Sequence, residues 1–236
     1  MSQRHRAVKA TLDVGLASEW NDDHIHDFTD EISKDLLRFG PAVTFDWDTA
    51  QTAGGSAPVW TLVAGHAFVV FNTGGVTNQI SSMRKELGAA VSNITTPDDL
   101  PILTCAVQVA TVHDAAGVAN SVVEFGFQDD SDALFTVNLH HAIFRFYNGH
   151  VFSVTGDGAA ETETDLGART EYATYRIEFT STQVKFYIDN MVTAAATHTT
   201  NLPTADFTVK FSVRSKNNVD STIRLDGVAL ERLRQQ

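Results

Sequence analysis

Residues 175–190, YRIEFTSTQVKFYIDN, decide the fold. Tyr175, Ile177 and Phe179 alternate with Arg176, Glu178 and Thr180. After the polar stretch 181–183 the alternation resumes, with Val184, Phe186 and Ile188 on one face and Lys185, Tyr187 and Asp189 on the other. A period of two with one apolar face describes two antiparallel strands that cover a core from one side.

Outward from this hairpin, strand patterns and turn signals follow one another from residue 42 onward. Gly74-Gly75, Asn148-Gly149 and Gly156-Asp157-Gly158 separate short apolar-polar runs. Among the expected strands are 42–47, 133–139, 151–155 and 192–197. Asn148-Gly149 is the strongest hairpin signal, because a two-residue I′ turn needs positive φ at both positions. So many short strands point to an all-β antiparallel sandwich. The segment before them reads differently. Phe28, Ile32, Leu36 and Phe39 recur at helical spacing, Asp30 and Glu31 fall in the first turn, and Gly40-Pro41 provides a stop, which predicts a helix over 27–39. Residues 1–41 are therefore expected to be an extended arm with a short helix serving assembly, and 42–236 a sandwich domain.

The chain has 236 residues, 29 acidic against 17 basic, and a formal charge of -12. That charge disfavours nucleic acid as a partner. No apolar run approaches the roughly 18 residues a membrane helix requires, and the start of the chain shows no apolar leader core. One cysteine, Cys105, lies in the apolar run ILTCAVQVA, which suits a buried strand thiol.

The succession VVEFGFQDDSDALFTV, FRFYNGHVFSVTGDGAAETETDLG, TEYATYRIEFTSTQVKFYIDN and ATHTTNLPTADFTVKFSV resembles the concanavalin A-like, laminin G-like jelly-roll domains of structural proteins from tailed phages and archaeal viruses. Asn190 stands where such domains usually carry Gly, and it tolerates the positive φ of a turn. The resemblance implies a jelly roll, and as function a non-enzymatic virion protein (capsid decoration, spike or tail component) assembled in the host cytoplasm. Its expected partners are further copies of itself, other virion proteins and host glycans. Two alternatives stand beside it, a carbohydrate-binding lectin or adhesin outside a virus, and a glycoside hydrolase.

Catalysis and metal binding leave partial signals. Glycosidases of this superfamily carry E-x-D-x-x-E on one strand, where alternation turns the acids into one cleft. Here the nearest run, 124–129, reads EFGFQD. Gly126 replaces the middle acid, and Gln128, on the same face as Glu124, is an amide that cannot donate a proton as a general acid. No catalytic residue is expected. His24 and His26 form an H-x-H pair that would bind a transition metal only if several chains pooled their imidazoles; the other reading is a polar lead-in to the helix with Asp27 as N-cap. Asp129, Asp130 and Asp132 form a carboxylate-rich loop suited to Ca²⁺, or else a solvated acidic turn. Glu161, Glu163 and Asp165 read as turn and outward strand positions. Trp20, Trp47 and Trp60 are candidate sugar-stacking rings.

Overall fold

The computed structural model describes residues 32–37, 47–51, 57–63, 66–74, 76–85, 95–111, 122–129, 135–137, 139–168, 171–216 and 220–233. In chain order its strands are β1 (Ile32–Leu37), β2 (Trp47–Gln51), β3 (Val59–Val63), β4 (His66–Asn72), β5 (Ile80–Lys85), β6 (Ile102–Thr111), β7 (Val123–Gln128) and β8 (His140–Tyr147). They continue with β9 (His150–Asp157), β10 (Glu161–Ala168), β11 (Tyr172–Phe179), β12 (Val184–Ile188), β13 (Ala196–His198), β14 (Thr208–Arg214) and β15 (Thr222–Leu233). A 3-10 turn, Pro97–Asp99, precedes β6.

Two antiparallel sheets form the jelly-roll sandwich. One runs β13-β12-β11-β6-β15-β4-β3 with β1 added on β15; the other runs β10-β9-β8-β7-β14-β5-β2. The hairpin that opens the sequence reading is β11-β12, paired Tyr175 to Ile188 through Phe179 to Val184. Its apolar face is the buried one, with Tyr175, Ile177, Phe179, Val184 and Phe186 in the core. Tyr175 reaches across the interior to stand edge-on to Phe125 and Phe144 of the opposite sheet, with ring centroids 5.1 and 4.8 Å away. Aromatic packing of this kind adds about 0.5–1.5 kcal/mol per pair to simple burial. Cys105 is buried here too, and burial pushes its thiol up.

Asn148 and Gly149 have φ of 52° and 74°, as the I′ turn between β8 and β9 requires. At the end of β12 the left-handed residue is Asp189, with φ 55°, rather than Asn190. Asp189 Oδ1 accepts the Thr174 N–H at 2.8 Å, and Asn190 Oδ1 accepts the N–H groups of Val192 and Thr193, so the two short polar side chains divide the turn between them.

The helix expected over 27–39 is not formed in its described part. Residues 32–37 are a strand, paired Ile32 to Leu233 through Leu37 to Val228. Two physical facts favour the strand. A spacing of four is even, so Ile32 and Leu36 share a face in a strand as they do in a helix. In addition, β4 covers β15 only over Thr222–Leu225, and β1 takes up the pairing along the next half of that edge, where backbone groups would otherwise lack partners. The remaining arm lies outside the described residues. Three further expectations change. Residues 135–137 are irregular rather than part of a strand, β9 runs through Gly156 to Asp157, and β13 is confined to Ala196–His198. β10 joins Glu161, Glu163 and Asp165, expected at turn and outward strand positions, in one continuous strand.

His198 ties the two sheets together at this edge. It is 2% exposed, with Nε2 hydrogen-bonded to Ser153 Oγ and Thr164 Oγ1 at 3.1 Å each, and Nδ1 to Thr155 Oγ1 at 3.0 Å. The Thr155 hydroxyl also donates to Thr200 O, which leaves its oxygen to accept from Nδ1–H and assigns Nε2 as the acceptor. Burial pushes the imidazole down to about 4, so the fold holds it neutral. The unfolded chain protonates near 6.5, and that contribution to stability is complete above pH 6.5 and lost as pH falls toward 4. After discounting for solvent screening, about 2 kcal/mol is expected to disappear across this window. Urea midpoints at stepped pH values check this: the wild type loses stability above the carboxylate range, and His198→Gln does not. Parallel pH profiles for the two proteins would overturn the assignment.

Candidate functional site

The two faces of the seven-stranded sheet differ in chemistry. Phe125, Phe127, Phe144, Phe146, Val209 and Phe211 point into the core, so the residues between them face away. Register then places Ser212, Glu124, Arg145, Phe152 and Asp165 in one row across β14, β7, β8, β9 and β10. Lys210, Gly126, Ile143, Val154 and Glu163 make the next row, and Thr208, Gln128, His141, Gly156 and Glu161 the third. Buried polar groups on a face turned from the core are the informative observation.

Arg145 is the hub, and it is fully buried. Its Nε donates to Glu124 Oε1 at 2.7 Å, Nη1 and Nη2 donate to the two oxygens of Glu161 at 3.0 Å each, and Nη1 reaches Glu163 Oε2 at 3.5 Å. This forked pairing is the geometry in which guanidinium outperforms ammonium. Burial opposes the charge on Arg145, but Glu124 and Glu161 outweigh it and hold the guanidinium protonated. Burial likewise raises Glu161, while His141 and Arg145 more than offset it and keep that carboxyl below its usual range. His141 Nε2 lies 2.9 Å from Glu161 Oε1 although β9 runs between them. Gly156 makes this contact possible: a Cβ there would stand 2.9 Å from His141 Nε2 and 2.6 Å from Leu139 O.

Aromatic side chains flank this cluster. Tyr147 stacks on Phe152 at 4.1 Å with the rings 3° from parallel, over a small apolar patch with Ile143 and Val154. The Tyr147 hydroxyl donates to Glu163 Oε1 at 2.5 Å, and burial with this bond raises it. Phe135, from the connection between β7 and β8, sits over Glu124, its N–H donating to Glu124 Oε2 at 3.1 Å while the Arg214 guanidinium lies 4.2 Å from its ring centre. The Gln128 amide and Ser212 Oγ are buried on this face with no hydrogen-bond partner among the described residues.

Glu124 lacks an acidic partner on its own strand, as read from the sequence, yet tertiary structure gives it two on β10 through Arg145. The sequence reading treated Glu161, Glu163 and Asp165 as separate outward positions. Their alternation in ETETD was itself the signal of a strand with one acidic face. Arg145, the lone charge within HHAIFRFY, was the other available clue. Asp129 belongs to local framework: its Oδ2 accepts the His140 N–H at 3.3 Å and its carbonyl accepts Lys210 Nζ. Asp130, Asp132, His24, His26 and Trp20 lie outside the described residues. Among the described residues no group of three or more His, Cys, Asp or Glu is placed to hold a metal ion. No described helix is long and apolar enough to cross a membrane.

No protein-family model matches this chain, and no curated protein matches it by sequence. Solved structures do match in fold. The carbohydrate recognition domain of Emp47p aligns with TM-score 0.55 and 13% identity over 86% of this chain and 97% of that one. A Bacillus licheniformis beta-glucanase aligns with TM-score 0.54 and 13% identity over 88% and 100%. The exoplasmic/lumenal domain of VIP36 in its Ca²⁺/Man3GlcNAc-bound form aligns with TM-score 0.50 and 10% identity over 80% and 84%. The likeness establishes the fold, an antiparallel jelly-roll sandwich. These neighbours are lectin and glycosidase structures, and the viral part of the sequence resemblance has no counterpart among them.

Proposed function

We propose that this chain is a glycan-binding module that holds sugar on the outer face of β7 to β10 without cleaving it. The observation that carries the reading is that face itself: buried polar side chains, with the stacked Tyr147 and Phe152 rings beside them. Aromatic faces pack against the apolar face of a pyranose, and polar groups orient its hydroxyls. The fold is shared with carbohydrate recognition domains, which supports the same reading.

Glycoside hydrolysis is less well supported by the same residues. A general acid must keep its proton near neutral pH, which calls for a raised carboxyl. Glu161 is instead held low, and Glu124 is bound by both Arg145 and the Phe135 N–H. On a virion, the setting suggested by the sequence resemblance, such binding would serve attachment to host-surface glycans.

A glycan array probed with the full chain, followed by a reducing-sugar assay on the glycans retained, tests the proposal. Selective retention without release is expected. An array with nothing retained would overturn the binding function. Sugar release that stops in Glu124→Gln would overturn the non-catalytic part.

A further inference from the structure

Two cations of the outer face, Arg145 and Lys210, are engaged within the chain, and a third, Arg214, lies over the Phe135 ring. Each guanidinium nitrogen of Arg145 donates to a carboxylate, and Lys210 Nζ donates to the Asp129 carbonyl. An anionic ligand would therefore meet Glu161, Glu163 and Asp165 along β10, on a chain of formal charge -12. The unmatched groups are neutral. Gln128 is 1% exposed and Ser212 0%, and Gln128 Oε1, Gln128 Nε2 and Ser212 Oγ have no hydrogen-bond partner among the described residues. Buried polar atoms left so forgo the hydrogen bonds that water would have given them. An amide that both accepts and donates and, two rows along the same face, a hydroxyl that does the same complement alcohol groups on successive sugar units.

The same face carries a residue in a costly backbone conformation. Phe135 has φ 58°, a left-handed value that a bulky residue adopts only when its surroundings impose it. It is 7% exposed and is held by Glu124, the register neighbour of Ser212, and by Arg214.

We infer that the site takes an uncharged, hydroxyl-rich glycan, read by Gln128 and Ser212, which gains the face as Phe135 gives up its place beside Glu124. This rests on the glycan-binding reading above. Sugar hydroxyls satisfy the unpartnered amide and hydroxyl without disturbing the ion pairs, whereas a uronate or sulfate would bring a negative charge beside Glu124, Glu161 and Glu163, which already hold Arg145. Exchange at Phe135 releases its backbone strain as the ligand arrives.

Calorimetric titration of the full chain with neutral oligosaccharides, and with oligouronates and sulfated oligosaccharides, at low and high salt, tests the inference. Neutral sugars are expected to bind in preference, with less than about a twofold change between salts, since no ion pair to the ligand is screened. Gln128→Leu is expected to weaken binding at least about tenfold, as loss of a buried polar contact does, while thermal stability stays the same or rises. Phe135→Gly is expected to bind more tightly than wild type. Preference for anionic glycans, wild-type affinity in Gln128→Leu, or weaker binding by Phe135→Gly would each overturn this inference alone. Absence of binding by the wild type across all the sugars would overturn the glycan reading and this inference with it.

Discussion

Arg145→Leu is expected to lower stability by about 3–5 kcal/mol, because removing one partner of a buried ion pair leaves the others uncompensated. Glu124, 2% exposed, would then face Glu161 with no cation between them. The carboxylates would have to take up protons or draw in water, and the sheet would loosen across β7 to β10. For a domain of this size the loss corresponds to about 10 °C or more in Tm. Arg145→Lys is expected to recover only part of it, since a single ammonium cannot serve Glu124 and both oxygens of Glu161 at once. Thermal denaturation of the two variants at neutral pH checks this. A Tm for Arg145→Leu within 2 to 3 °C of wild type, roughly the scale of a surface change, would show that the cluster is not held by that side chain.

Gly126 is the second position where a single change has a large consequence. Its φ is 140°, and a Cβ would stand 2.5 Å from Ala142 O, 2.9 Å from the Ile143 Cα and 2.8 Å from Ile177 Cδ1. Two of these three atoms are backbone of β8, so no rotamer change relieves the overlap. Gly126→Ala is expected to cost more than about 3 kcal/mol through combined strain and overpacking, and Gly126→Asp to leave no folded protein. The measurement is soluble yield with far-UV circular dichroism, then Tm where protein is recovered. A Gly126→Ala protein as stable as wild type would refute the close approach of β7 to β8. The outcome bears on function as well. Gly126 occupies the middle place of the E-x-D-x-x-E pattern, so the backbone that builds this sheet has no room for that acid.

Much of the architecture was legible in the residues. Alternation in 175–190 identified β11 and β12 and their buried face, and Asn148-Gly149 identified the β8-β9 turn, because both signals are local: a pleat of period two, and a turn whose φ values only a few residue types accept. Legibility failed where the outcome depended on a distant strand. ISKDLL within 27–39 fits either a helix or a strand by spacing, and the free half of the β15 edge settled it. ETETD looked like loop chemistry because β10 contributes little to the core, with Glu163, Thr164 and Asp165 exposed.

For the candidate site the division is sharper. The sequence by itself determined that this chain forms a β-sandwich, that Gln128 shares a strand face with Glu124, and that the E-x-D-x-x-E pattern is broken. Only the tertiary structure decided that Glu124 and Glu161, 37 residues apart, meet on one buried guanidinium, and that Phe135 lies over Glu124. The reason is physical. Periodicity fixes which face of a strand a residue occupies, whereas the residue it meets on that face depends on strand order and register, which are set when the whole sheet is paired.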